Sequence, residues 1–112
     1  MTTATEACGL ETAPTAPFEA AEWVADRVSG PGAGNVAMAL CTAVLATDPT
    51  EILVRITRDG DAVRISAFGS SLVRESDLTP ADRITLQTAA SRFGRTRGRN
   101  GLWAELPVMA GG

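Results

Sequence analysis

The chain of 112 residues contains no histidine, no tyrosine and no lysine. Without histidine there is no Ser-His-Asp triad, no histidine general base and no histidine metal ligand. Cys8 and Cys41 are too few and too far apart for a cysteine-rich zinc site, and small disulfide scaffolds use cysteine more densely. We expect Cys41, which lies in an apolar stretch, to be a small core residue.

Long apolar runs and an excess of positive charge are also missing. No apolar run approaches the ~20 residues of a membrane-spanning helix, and no basic-then-apolar signal sequence opens the chain. Thirteen acidic residues outnumber ten basic ones, and the net charge of −3 disfavours general binding to nucleic acid or to an anionic membrane. These features predict a cytoplasmic protein that does not act at a membrane.

The remaining composition is typical of one small domain. Residues 1–17 are rich in Thr, Ala and Pro and are predicted to form a flexible tail, although 10–12 could add a short edge strand. Apolar residues recur at helical spacing over 18–28, which predicts an amphipathic helix. We expect the domain to span 18–107 and a C-terminal tail to span 108–112.

The stretch 36–46 has no charged side chain. A helix that is apolar on all sides is buried, so this segment predicts a core helix. Asn35 is its predicted N-cap, and Asp48-Pro49 follows as a break.

Alternating apolar residues over 51–58 and 62–68, separated by Asp59-Gly60-Asp61, predict a β-hairpin. A third helix is predicted to begin at the cap Thr79 and to continue as far as Phe93. A turn over 94–101 and a closing strand over 102–106 complete the pattern. The order of two helices, hairpin, helix and strand predicts an α+β fold.

Four of the ten arginines lie close together near the C-terminus: Arg92, Arg95, Arg97 and Arg99. Guanidinium groups suit carboxylate or phosphate partners, so an acidic protein patch, a nucleotide or a nucleic acid are open alternatives. The simplest interpretation is a solvated turn whose charges keep an edge strand soluble. Trp103 alternates out of phase with its apolar neighbours and is a candidate for a second surface.

The ending LWAELP over 102–107, after a helix that closes with Ser-Arg-Phe-Gly over 91–94, resembles the C-terminus of actinobacterial anti-sigma-factor serine kinases. This family belongs to the histidine-kinase-like (GHKL) ATPase superfamily. Residues 52–65 resemble its central strands, and the order of elements agrees over 18–107. The resemblance implies a two-layer α/β sandwich with helices on one face of a mixed, mostly antiparallel sheet. The family binds ATP and Mg²⁺, captures a sigma factor and phosphorylates a serine on an antagonist protein.

The same resemblance implies that this chain has lost its nucleotide site. The family's Glu and Asn on the second helix fall near Met38 and Thr42, and its adenine-reading Asp falls near Gly69. The lid should lie within 70–86, which is too short for it and contains no glycine. We therefore expect no catalytic residue, no metal site and no cofactor, as in a pseudokinase.

The resulting prediction is a non-catalytic regulatory or accessory protein-binding module. The expected partner is a sigma factor, an antagonist protein or a larger assembly, and a homodimer is also open. The predicted contact surfaces are the sheet face opposite the helices, the third helix, the arginine-rich turn and Trp103. Two alternatives stay open: an ATP- and Mg²⁺-binding serine kinase with unrecognised site residues, and a nucleic-acid-binding accessory protein that uses the arginine-rich turn.

Overall fold

A computed structural model describes residues 3–30 and 32–107 of the protein. Within these ranges the chain forms three α-helices, one 3₁₀ helix and five strands. In chain order they are β1 (Thr3–Leu10), α1 (Ala16–Arg27), α2 (Ala33–Leu45), β2 (Ile52–Asp59), β3 (Ala62–Gly69), the 3₁₀ helix (Glu75–Asp77), α3 (Pro80–Ala89), β4 (Arg92–Arg95) and β5 (Gly101–Leu106). The predicted α+β class is confirmed.

The five strands form one sheet in the order β1-β2-β3-β5-β4. The resemblance implied a mixed sheet, but every neighbouring pair in the described part of the chain is antiparallel. Local connections explain two of the four pairings, since β2–β3 and β4–β5 are hairpins and hairpins join antiparallel strands, whereas β1–β2 and β3–β5 are connected through helices. The two-residue turn of the first hairpin has a φ of 62° at Gly60, the position at which a type II′ turn requires glycine.

The three helices lie on one face of this sheet. Helix α2 packs on β2, β3 and β5, with α1 and α3 on either side of it. Because side chains alternate between the two faces of a strand, every second strand residue points into this core. These inward residues are buried: Ile52, Val54, Ile56, Ile65, Ala67, Leu102 and Ala104. The intervening residues form the opposite face, which no helix covers in the described part of the chain.

Helix α2 is the buried core helix that its lack of charge predicts. Most of its side chains are buried: Val36, Ala37, Ala39, Leu40, Cys41, Ala43 and Val44. Burial raises the pKa of the Cys41 thiol to about 11, so this side chain is a protonated core residue at neutral pH. The predicted cap was wrong, because Gly32 occupies the N-cap position with a φ of 91° and Asn35 lies exposed within the first turn. Glycine tolerates that conformation, so the chain enters the helix earlier than predicted.

The N-terminal segment differs from the predicted tail. Strand β1 pairs with β2 from Thr3 opposite Asp59 to Leu10 opposite Ile52. Its residues are mostly small or polar, and apolar and polar positions do not alternate clearly along it. The strand finds its backbone hydrogen-bond partners along the edge of β2. The Glu6 carboxylate accepts a 3.0 Å hydrogen bond from Arg58 of β2, which adds an ion pair across the two strands. The predicted tail at 108–112 lies outside the described residues.

Helix α3 begins as predicted but ends earlier. The Asp82 amide donates to the Thr79 hydroxyl at 3.1 Å, which is the expected cap. The helix was predicted to reach Phe93, but it ends at Ala89, and Phe93 lies in β4 opposite Ala104. Strand β4 therefore replaces part of the predicted turn, because its four residues find their hydrogen-bond partners on β5. No helix in the described ranges is long and apolar enough to cross a membrane.

Candidate functional site

The open face of the sheet carries its side chains in rows, because paired residues of neighbouring strands lie side by side. One row runs through Thr57, Arg64, Glu105 and Arg92, from β2 to β4. The Arg92 Nε and Nη2 atoms each donate to a Glu105 carboxylate oxygen at 3.2 Å, and Arg64 Nη2 donates to the same carboxylate at 3.3 Å. These hydrogen bonds, above all that from Arg92, hold the pKa of Glu105 below its ordinary value, although partial burial opposes them.

The neighbouring row contains Arg55, Ser66, Trp103 and Gly94. The Trp103 ring lies over Gly94, where a Cβ atom would stand only 3.3 Å from the ring. The Trp103 Nε1 atom donates to the Arg95 carbonyl oxygen at 2.9 Å. The contact with Gly94 and this hydrogen bond together fix the orientation of the indole. A glycine at position 94 is what makes room for the indole on this face.

Two arginines of the open face stack closely on aromatic rings, and a third, Arg92, has its Cζ atom 5.7 Å from the centroid of the Trp103 ring. The Arg64 Cζ atom lies 4.1 Å from the centroid of the Trp103 ring, and Arg55 Cζ lies 4.6 Å from that of Phe68. Stacking restricts the guanidinium planes while leaving N–H groups on their edges to donate to other partners. The guanidinium groups of Arg64 and Arg55 therefore cover the rings of Trp103 and Phe68.

A groove of about 470 Å³ lies between these rows and the β4–β5 turn. Its lining consists of four arginines, three hydroxyl residues and one tryptophan: Arg55, Arg64, Arg95, Arg97, Thr57, Ser66, Thr96 and Trp103. No carboxylate lines it among the described residues, and Arg55, Arg95 and Arg97 form no ion pair there. A protein with a net charge of −3 therefore has a locally positive groove.

Ser66 is the most enclosed polar residue of the groove. It is 4 % exposed, and its hydroxyl makes no hydrogen bond to any part of the chain that the structure describes. On β3 it lies directly between Arg55 and Trp103 of the two neighbouring strands. An unused hydroxyl donor thus lies on the floor of the groove.

The structure brings together most of the predicted partner-binding residues. Arg95, Arg97 and Trp103 line the groove, whereas Arg92 lies beside it and holds Glu105. Arg99 does not line the groove; it occupies the turn with a φ of 60°, and its amide donates to Thr96 at 2.9 Å.

Sequence reasoning missed Arg55, Arg64 and Ser66 as individual site residues. Only strand pairing brings them beside the arginine-rich turn, and no local motif marks them. The available signal was the alternation of the strands, since each of the three lies between residues that face the helix layer.

The positions at which the resemblance places the lost nucleotide-site residues take part in the packing of the fold. The Thr42 hydroxyl donates to the Met38 carbonyl at 2.7 Å, within α2 itself. A Cβ at Gly69 would stand 2.9 Å from both the Glu51 carbonyl oxygen and Pro49 Cβ. An aspartate side chain at position 69 therefore has no room in this packing. The described residues contain no group of three or more Cys, Asp or Glu side chains that could hold a metal ion.

Comparisons of the chain with protein-family models, with curated proteins and with solved structures gave no match. The fold is established as α+β, and the resemblance to anti-sigma serine kinases stays a prediction that rests on the residues quoted for it.

Proposed function

We propose that this protein is a non-catalytic binding module whose open sheet face binds an acidic segment of a partner protein. The observation that carries the proposal is the groove lined by four arginines and by no carboxylate in the described part of an otherwise acidic chain. On the anti-sigma-type scaffold that the resemblance implies, the partner would be a sigma factor, an antagonist protein or a component of a larger assembly. The observed order contains the two helices, the hairpin, the third helix and the closing strand in the sequence that this scaffold requires, with β1 and β4 as additional strands.

The stacked arginines favour a carboxylate-bearing ligand on energetic grounds. A guanidinium group forms two parallel hydrogen bonds to one carboxylate, and such charge-assisted pairs are stronger than neutral ones. Because the aromatic rings already restrict Arg55 and Arg64, less side-chain entropy is lost when a ligand binds. Glu105 supplies an internal example, since its carboxylate is held by Arg64 and Arg92 on this same face.

Nucleic acid is the less favoured ligand for the groove. Proteins that bind single strands stack bases on exposed aromatic rings, but Phe68 and Trp103 are covered by Arg55 and Arg64. The acidic remainder of the molecule would also repel a polyanion that extends beyond the groove.

The residues of helix α2 give no support for a kinase reaction. Phosphoryl transfer depends on positioning and on metal electrostatics, which require carboxylate or amide groups near the phosphates. Met38 and Thr42 offer neither group, and the Thr42 hydroxyl is already bonded to its own helix.

The test is fluorescence anisotropy of a labelled peptide of alternating Glu and Gly residues. We expect the double variant Arg55→Gln/Arg97→Gln to bind about tenfold more weakly, or ~1.4 kcal/mol. Arg99→Gln is the matched control, because it removes a charge from the same turn without changing the groove lining. Equal affinity of the double variant and the wild type would contradict the proposal.

Two competitors separate the alternatives in the same assay. If oligothymidylate displaced the peptide at a lower concentration than unlabelled peptide does, the nucleic-acid alternative would become the better one. Displacement by ATP with Mg²⁺, absent without the metal ion, would favour the kinase alternative.

A further inference from the structure

We propose that the central anion in the groove is a phosphoryl group carried by a serine or threonine side chain of the partner segment. This inference rests on the proposed function and names the chemical group that the groove recognises. It starts from Ser66 on the groove floor, a residue 4 % exposed whose hydroxyl forms no hydrogen bond to the described residues. No side-chain polar atom of the described residues is both buried and unpartnered, so the Ser66 hydroxyl reaches the groove and is free to donate to an acceptor on a ligand.

The donors around Ser66 come from three parts of the fold. Arg55 lies opposite it on β2, and Arg64 lies on β3 itself, one position further along the same face. Arg95 and Arg97 come from the β4–β5 hairpin and complete the lining. A carboxylate presents two oxygen atoms in one plane, whereas a phosphoryl group presents three and can accept from several directions at once.

The charge of the groove also fits a phosphoryl group better than a single carboxylate. Arg55, Arg95 and Arg97 have no carboxylate partner within the described ranges. A phosphoserine carries about −1.5 to −2 charges at pH 7, roughly twice the charge of a glutamate, on one compact group. Several arginines can therefore contact one phosphoryl group, whereas one carboxylate would leave part of the positive charge uncompensated.

The experiment compares three short peptides that differ only at a central position, Glu-Xaa-Glu flanked by Gly and Ala, with serine, glutamate or phosphoserine as Xaa. The readout is the fluorescence of Trp103 in a Trp23→Phe background, because Trp103 lines the groove. We expect the phosphoserine peptide to bind at least about tenfold more tightly than the glutamate peptide. We also expect Ser66→Ala to weaken phosphopeptide binding about tenfold while leaving the unfolding midpoint unchanged, because its hydroxyl bonds to no described residue.

A pH profile provides a second readout. The second pKa of a phosphoserine is about 6, so its binding should strengthen between about pH 5 and 7, while binding of the glutamate peptide stays nearly constant. The charged groups facing the ligand are Arg55, Arg64, Arg95 and Arg97, with Arg92 and Glu105 alongside. The chain has no histidine, so a change in this window reports the ligand.

The outcomes distinguish this inference from the proposed function. If the glutamate peptide binds and the phosphoserine peptide binds no tighter, with the same pH profile, the inference is wrong and the proposed function stands. If neither peptide binds, both are wrong. If inorganic phosphate displaces the phosphopeptide at the concentration at which free phosphopeptide does, the assignment to a partner's side chain is wrong, because the groove then takes free phosphate.

Discussion

The two faces of the sheet have opposite chemistry although the same strands form both. On β2 and β3 the residues toward the helices include Ile56 and Ile65, both fully buried. One residue away on each strand, Arg55 and Arg64 lie on the open face and stack on aromatic rings. Because side chains alternate, a strand can encode a core with every second residue and a binding surface with the others. Stability is therefore expected to reside on one face and ligand binding on the other.

The largest expected effect comes from the covered face. Ile56→Ala removes a fully buried side chain from the core, and we expect it to lower the free energy of unfolding by about 3 kcal/mol. Thr57→Ala, one residue further along β2, alters only the open face and should cost less than ~1 kcal/mol. Urea unfolding followed by circular dichroism measures both. Similar losses at the two positions would contradict the division between the faces.

A smaller stability effect is expected where the end of the central strand β3 meets the helix layer. Gly69→Ala places a Cβ 2.9 Å from the Glu51 carbonyl oxygen and 3.1 Å from Val44 Cγ1, and should cost about 2 kcal/mol. Gly9→Ala in β1 meets no atom within 4 Å and should change stability by less than ~0.5 kcal/mol. Thermal unfolding of the two variants compares them directly. If position 69 tolerates alanine as well as position 9 does, the close packing there is not a constraint.

The smallest stability effect is expected on the open face, where stability and binding should change in opposite directions. Glu105→Gln removes the negative charge and one of the two acceptor oxygens that hold Arg64 and Arg92, and should lower the free energy of unfolding by about 0.5 kcal/mol at pH 7. The same change frees two guanidinium groups beside the groove, so acidic peptides should bind a fewfold more tightly. Glu22→Gln, on the exposed side of α1, is the matched control.

The contribution of Glu105 also has a defined pH dependence. Its pKa is lower in the folded protein than the ordinary value of 4.5. The stabilisation is therefore complete above pH 4.5 and is lost as the pH falls through the lower, folded-state value. The difference in unfolding free energy between the wild type and Glu105→Gln should shrink over that acidic range. A difference that stays constant at low pH would show that the ion pair does not titrate as described.

Local patterns predicted the parts of the fold that depend on a few neighbouring residues. The β2–β3 hairpin follows from alternation around Gly60, and the buried α2 follows from a stretch without charge. Strands β1 and β4 were missed because their own residues are small, polar or few, and their pairing is determined by the edges of β2 and β5. A distant partner strand leaves no periodic signal in the segment that pairs with it.

The candidate site shows the same limit. The density of arginines in the β4–β5 turn marked Arg95 and Arg97 from the sequence alone. Arg64 and Ser66 join them only through the β3–β5 pairing, which no local pattern specifies. Arg99 shows the converse error, because closeness in sequence to the other arginines did not place it in the groove lining.

The two tryptophans permit the most direct test of where the ligand binds, since one lies in the sheet and the other in the helix layer. Trp103 lines the groove with its indole N–H bonded to the Arg95 carbonyl, and Trp23 packs against the core from α1. Titrating the ¹⁵N-labelled protein with the alternating Glu-Gly peptide should shift the indole resonance of Trp103 and leave that of Trp23 unchanged. A shift of the Trp23 resonance with none at Trp103 would place the binding surface on the helix layer and contradict the account.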